Sequence, residues 1–569
     1  VRIIACLVGL GVFGCASTLA QEEAAILHVA QRDHPQVFLP EQRHIEVRDP
    51  AQFPIDGLPP TPTPPTVEDE SETALTEHPL SLDEAIRIAL SNSEVVRILS
   101  GVTASSTGQS IYSVAIANTA IDEQRARFDP ALASEHRFNR FEPPVAVLDP
   151  LAPAGARIVG TRTEDYNMAS GLSKTTLTGG TAAFNVNTNP ARFERGVFPL
   201  NPQTRHSLDL SYTQPLFRGG GIHANRAPIV IARLDAERSF FQYKASMQEL
   251  VRSVVAAYWA LVFARTDEWA RRQQVEFAEF QYQLAVKRYK TGAASRAETA
   301  QPRVSLGNFR TALTAAQNNV LLREAALRNV MGLPPSDGRQ LVPITPPADQ
   351  PVEFDWNELV ALVETHRPDL IQAKLILEAD HQQLLVNKNQ AHPNVDALML
   401  YRWNGLDGRT PTGDTLTTQG GQFTDWTLGV TFSVPLSLRQ ERAALRRQEL
   451  IIAQDEAFLR QGLHNMTHNL AASLRNLAQF QQQYQEFHEI RADAELNLIA
   501  RNARWGKAGG LGAITYVEVL LANTDWGNTI SAEAQALTNY NIELANLELE
   551  TGTILESHGI FFYEERHGN

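Results

Sequence analysis

Cysteine is nearly absent. Only Cys6 and Cys15 occur in 569 residues, and both lie in the first fifteen. Beyond that segment no disulfide framework and no Cys-ligated metal site can form. Clustered basic charge is missing too: the formal net charge is −14, and no long Lys/Arg run appears. Nucleic acid requires clustered cations to replace its counterions, so no nucleic-acid partner is expected. Past the N-terminus, no stretch reaches the roughly 18 uninterrupted apolar residues of a membrane helix. Catalytic constellations are lacking as well. "HEIRA" (488–492) has no second His for a zinc-protease helix, and no G-x-S-x-G occurs. Nucleophile, base and metal-ligand spacings are all missing, so no enzyme activity, cofactor or metal site is expected.

What is present begins at the N-terminus. "VRIIACLVGLGVFGCASTLAQ" has one early charge, Arg2, an apolar run over 3–13, then small residues. That is the shape of a secretory signal over 1–20, and the run is too short to span a bilayer of about 30 Å. Two endings compete. "TLA" (18–20) fits ordinary cleavage after small residues, whereas "VFGC" (12–15) matches a lipobox that would leave Cys15 acylated, although Phe13 is bulky there. An exported chain without a later membrane helix is either soluble or a membrane β-barrel. Residues 21–79 are Pro-rich, with "GLPPTPTPPTVEDESE" (57–72) the extreme, and read as a disordered or extended linker.

Order begins at "SLDEAIRIALSNSEVVRIL" (81–99). Ser81 and Glu84 have capping-box spacing, and Leu82, Ala85, Ile86, Ala89 and Leu90 form one apolar face. The texture then changes. Residues 128–142, 163–189 and 206–217 alternate as strands do: Leu208, Leu210 and Tyr212 fall on one face and Ser207, Asp209 and Ser211 on the other. "LTGGT" (177–181) reads as a tight turn. Such alternation fits a membrane barrel or an ordinary sheet alike. After the glycines at 219–221 the period lengthens: Met247, Val251, Val254, Tyr258 and Leu261 step by three and four. From Pro228 to Lys290 no Gly or Pro follows, which predicts a helix of about 90 Å packed along its length. "KTGAAS" (290–295) breaks it, and a return helix carries Leu306, Phe309, Leu313, Ala316 and Val320 as far as "MGLPP" (331–335).

The second half repeats this plan. A helix over 358–373 is followed by strand-like 392–404 and 425–436, with Trp403, Trp426 and Phe432 as interface aromatics. A long helix over 437–507, a break at 507–520 and a return helix over 523–552 complete it. Pro215 and Pro435, Gly292 and Gly512, and Glu298 and Glu518 are each 220 residues apart. A constant offset marks an internal duplication. It also argues against a phosphate loop at Gly219 and Gly220. The second corner, with "SLR" (437–439) after Pro435, lacks the glycines, so Pro215, Gly219, Gly220 and Pro435 read as strand-to-helix corners.

Strand, "QPLF.GG", very long helix, glycine tip, return helix, "GLPP", "RPDL", and a repeat ending near "ETGTIL" together resemble the TolC family of outer-membrane efflux proteins, over about 81–555. The resemblance implies a mixed α/β membrane protein with two internal repeats, 80–335 and 336–555, and a short tail, 556–569. It implies a homotrimer in the outer membrane of a Gram-negative-type bacterium. Each chain would give strands to one shared transmembrane β-barrel in contact with outer-membrane lipid, and helices to one α-helical tunnel extending into the periplasm. The implied partners are a periplasmic adaptor (membrane fusion) protein and an inner-membrane transporter. The adaptor would meet the helix breaks at Gly292, Ser295, Arg296, Gly512 and Thr515. Rings of acid close the tip in the family, and the matching positions are Glu298 and Glu518. Tyr516 and Leu521 depart from the family's pattern there. For each Glu the plain alternative is a first-turn acid that favours a helix N-terminus. Family members usually contribute four strands per chain, whereas this sequence predicts four in the first half and two in the second. Two other functions remain open: an outlet for type I protein secretion, and a periplasmic coiled-coil scaffold without a pore.

Overall fold

The computed structural model describes residues 62–67, 76–151, 153–194, 198–507 and 515–562. All lie in one compact unit, Thr61–Asn569. The signal sequence, Cys15, Gly512 and most of the Pro-rich stretch fall outside the described residues.

The first described strand corrects the linker boundary. Strand β1 (Thr76–Leu80) pairs in parallel with a strand far along the chain, β10 (Arg339–Pro343), so 76–79 are not linker. Five residues are too few to show an alternation, and the partner that orders them cannot be seen locally. Helix α1 (Leu82–Ser91) follows, with the Ser81 hydroxyl accepting from the Glu84 N–H at 3.2 Å. A hairpin of β2 (Val95–Ser100) and β3 (Thr103–Ser110) and a helix α2 (Tyr112–Arg125) come next. The sequence separated neither, because apolar β2 continues the stretch opened at 81, Ser, Thr and Gly dominate β3, and α2 has no buried residue.

One antiparallel sheet then forms from both halves of the chain. The first half supplies β4 (Ala131–Phe141), β7 (Thr163–Thr175), β8 (Thr181–Phe193) and β9 (Gln203–Pro215). A small separate hairpin of β5 (Pro144–Leu148) and β6 (Ala156–Gly160) sits between β4 and β7. The second half supplies β11 (Asn394–Arg409), the short β12 (Thr415–Thr417) and β13 (Phe423–Ser433). The order is β4-β7-β8-β9-β11, with β12 and β13 both on the far side of β11. The strand-like residues over 163–189 thus belong to this same sheet.

Each half runs from the sheet into helices. Beyond β9, α3 (Ile222–Lys290) has 69 residues, about 100 Å at 1.5 Å each. It returns as α4 (Arg296–Val330), which ends before β10. Helices α5 (Trp356–His366) and α6 (Pro368–Gln390) lead to β11. Beyond β13, α7 (Arg439–Lys507) also has 69 residues, and α8 (Tyr516–Thr551) and α9 (Ile554–Ser557) close the described chain. An 18-residue window of α3 is apolar enough to cross a bilayer, and 67 % of it is buried inside the protein. The same helix supplies the main core, where Val251, Val254, Tyr258 and Leu261 pack with Leu80, Ile86, Leu327 and Ile554. A second core joins α5, α6, α7 and α8 through Val363, Leu370, Leu470 and Leu547.

Tyr258 ties this packing together. Its fully buried hydroxyl donates to the Leu80 carbonyl at 3.0 Å and accepts from the Ile344 and Thr345 N–H groups at 3.1 and 2.9 Å. Tyr258→Phe takes the acceptor from the Thr345 N–H and a donor from the Leu80 carbonyl, while the Ile344 N–H keeps the Leu80 carbonyl at 3.1 Å. It should destabilise the protein by about 1–3 kcal/mol, read as a shift of the denaturant midpoint of the helical circular-dichroism signal. A second test lies between α6 and α7. Burial, the hydrogen bond to Asp380 and the charge of Asp380 push the Asp455 carboxyl up to about 6. A raised carboxyl contributes stability below the unfolded value of about 4 that is lost as pH rises through the folded value. The melting temperature should therefore fall between pH 4 and pH 7, and Asp455→Asn should flatten that fall.

Candidate functional site

The sheet has two chemically opposite faces. Because successive side chains alternate, the register aligns each row across all six long strands. One row reads Leu132, Leu172, Phe184, Leu210, Tyr401, Trp426. Shifted by one residue, the neighbouring row on the other face reads Ala133, Gly171, Asn185, Asp209, Arg402, Asp425. The apolar face is open, with Trp426 69 % exposed, whereas Asp209 on the polar face is 5 % exposed. An exposed aromatic and aliphatic belt backed by an enclosed polar face is what a strand meeting lipid on one side and water on the other requires.

The polar face is densely hydrogen-bonded. Arg402 donates from Nε and Nη2 to the two Asp209 oxygens at 2.7 and 2.9 Å, a bidentate pair. Asn187 adds a third bond to Asp209 at 3.1 Å, and Asn404 donates to Asp425 at 2.6 Å. A recess of about 620 Å³ lies over this face, lined by Asn167, Asn187, Asn189, Arg205, Arg402 and Asn404 among others. The sequence showed Asp209 on the polar face. Arg402 was missed, because its partner is 193 residues away.

The corners join this sheet to the helices. Residues 219–221 lie between β9 and α3, and Gly219 and Gly221 have φ of +80° and +102°. A side chain on Gly220 would meet the Pro215 carbonyl oxygen at 2.5 Å. Asn389 clasps the loop, accepting from the Gly219 N–H at 2.8 Å and donating to the Gly220 carbonyl at 2.7 Å. No phosphate is needed to explain these glycines. Past Pro435, Leu438 takes a positive φ of 47° immediately before α7, so the second corner turns with a non-glycine in the left-handed region.

At the far helix ends, Gly292 (φ +74°) terminates α3. Ser295 and Glu298 form a reciprocal capping box at the start of α4, both bonds 3.3 Å. Arg296 is the first residue of α4 and Thr515 precedes α8. Glu518, in the first turn of α8, accepts from Arg501 Nη1 at 2.6 Å and from Thr515 Oγ1 at 3.4 Å. Both acids therefore have local helix-start roles. Tyr516 packs against Trp505, with ring centroids 5.7 Å apart, and burial pushes its phenol up. Arg288 lies 4.5 Å over the Trp505 ring and donates to the Trp505 carbonyl at 2.5 Å. Arg288, Arg501 and Trp505 were not singled out from the sequence. The only signal was a basic last turn of α3, which reads first as a helix-dipole effect.

Between corner and tip, α3 and α8 are locked in register. Gln274 donates to the Asn523 carbonyl at 3.0 Å and Asn523 donates to the Gln274 carbonyl at 3.2 Å, both side chains buried. Gly527 makes room for them: a Cβ there would lie 2.2 Å from the Gln274 amide. Among the described residues, no three His, Cys, Asp or Glu side chains converge to hold a metal.

Residues 181–333 match the family model described as outer membrane efflux protein. No curated protein matches the chain in sequence. Solved structures share its fold. The Vibrio cholerae outer membrane protein VceC superposes with a TM-score of 0.56 at 16 % identity, covering 83 % of this chain and 96 % of that one. The Campylobacter jejuni outer membrane channel CmeC gives 0.56 at 15 % identity, covering 91 % and 94 %. A membrane protein from Pseudomonas aeruginosa gives 0.56 at 17 % identity, covering 83 % and 93 %.

Gly527→Ala should force Gln274 from its place and destabilise the α3–α8 contact by about 1–3 kcal/mol, as overpacking does elsewhere. Chemical denaturation followed by circular dichroism would check it; an unchanged midpoint would mean that the helices slide freely there.

Proposed function

We propose that this chain, with its outer membrane efflux protein segment and the fold of outer-membrane channels, is the outer-membrane exit duct of a tripartite efflux system. The observation that carries the reading is the join between a two-faced sheet and paired 69-residue helices. Lipid tolerates only closed barrels among sheets, since unpaired edge groups find no water there. Three copies would complete the ring, and their helices would line a tunnel of about 100 Å across the periplasm. The equal helix lengths support reading 80–335 and 336–555 as two copies of one unit.

In this reading the helix breaks face an adaptor protein that links the duct to an inner-membrane transporter, through Gly292, Ser295, Arg296, Gly512 and Thr515. Glu298 and Glu518 gather three times each near the axis and raise the negative potential of a narrow mouth. A poreless scaffold would account for the helices but would leave the apolar face of the sheet in water.

Detergent extracts of outer membranes should yield a stable oligomer that conducts in planar bilayers with cation preference. Joint Glu298→Gln and Glu518→Gln substitution should lower that preference, and the wild-type preference should weaken with salt, given a Debye length of about 8 Å at physiological strength. Equal selectivity in both proteins would leave the two acids as helix-start residues only. A monomer with intact strands would overturn the duct itself.

A further inference from the structure

The exit-duct reading leaves the size of the barrel open, and the sheet carries an answer that rests on that reading. We propose that the barrel has eighteen strands, six from each of three copies, closed by β4 of one copy pairing antiparallel with β13 of the next.

Three observations point there. First, β4, β7 and β8 stand at the same height as the others. The β7–β8 turn is bonded to the corner where α3 begins: Gly221 N–H and Gln214 Nε2 both donate to the Thr178 carbonyl at 3.1 Å. Helix α2, which precedes β4, lies along α3, with the Ser239 hydroxyl donating to the Ser113 carbonyl at 3.3 Å. So β4 leaves from the helix side, and β7 and β8 turn there. The six long strands have 11, 13, 13, 13, 16 and 11 residues, each enough for the roughly 9–11 that a tilted membrane strand needs.

Second, β4 and β7 continue the apolar row at both ends of their outward face, with Ser134, Ser170 and His136 between. Leu132 and Leu172 extend the apolar row that ends in Trp426, and Leu132 and Phe138 are 79 % and 80 % exposed. A β4–β7 pair standing outside the membrane would leave these side chains in water.

Third, the two free edges fit each other. Among the described residues β4 pairs only with β7 and β13 only with β11, and both edge strands have 11 residues. Every pairing in the sheet is antiparallel. Five such pairings leave β4 and β13 running in opposite directions, so a ring of copies closes antiparallel throughout. An edge that must enter lipid needs that closure. Barrel diameter grows about linearly with strand number, so eighteen strands give a lumen about 1.5-fold wider than twelve.

Electron cryomicroscopy of the detergent-solubilised oligomer counts the strands directly. Eighteen supports the proposal. Twelve, with β4 and β7 outside the ring, overturns it and leaves the duct reading intact; failure to form any ring overturns both. Disulfide trapping checks the seam, because the chain's own cysteines are confined to positions 6 and 15. Ala133→Cys on β4, combined in turn with Thr427→Cys, Gly429→Cys or Thr431→Cys on β13, should give a cross-linked oligomer ladder in at least one pair. Ala183→Cys on β8, with the same β13 partners, should give none, since β7 occupies that edge. The reverse pattern would place the seam at β8 and overturn the proposal.

Discussion

The register between β9 and β11 is the constraint on which the rest of the molecule depends. These strands come from opposite halves of the chain, and their pairing makes two β regions into one sheet. A slip of one residue would carry Arg402 to the apolar face and Met399 or Tyr401 to the polar one. The bidentate Arg402–Asp209 pair opposes that slip. The guanidinium fork is satisfied only when residue 402 stands opposite residue 209, and Asn187 holds the carboxylate from the next strand. Leaving the buried Asp209 carboxylate without this partner would cost more than a lost surface contact.

That sheet imposes its geometry on the helices. In each half the last strand, β9 or β13, must turn sharply into a long helix, and the two corners do so by different means. Gly219 and Gly221 take positive φ at little steric cost, whereas Leu438 holds a positive φ despite its side chain. Between the corners and the breaks, buried Gln and Asn side chains bond across helices as well as pack. Gln274 and Asn523 reach each other's backbone, and Gln248 donates to the Gly552 carbonyl at 2.7 Å. Apolar contact alone permits helices to slide, while a buried amide bonds only at one register.

The helix ends show how one residue can serve two readings. Glu298 caps its own helix and Glu518 binds Arg501, and both contacts exist within one chain. In the proposed duct the capping box would leave the Glu298 charge to act on the mouth, while the Arg501 guanidinium, in an ion pair with Glu518, would offset the charge of that carboxylate.

Periodicity made the larger elements legible: the alternation of Leu208, Leu210 and Tyr212, the three-and-four steps from Met247 to Leu261, and the glycine-marked breaks are local properties of the chain. The 220-residue offset of Pro215 and Pro435 likewise needed no coordinates. Short or polar elements were not legible: β1, β3 and α2 gave too few apolar steps to reveal a period, and β2 ran on from an apolar helix. The polar partners were hidden for another reason. Arg402 opposite Asp209, Arg288 over Trp505, and Tyr258 beneath Leu80 join residues far apart in the chain. Their identity follows from which strands and helices become neighbours. Local sequence determines how each segment alternates, but only the burial of all those faces together decides which segments meet.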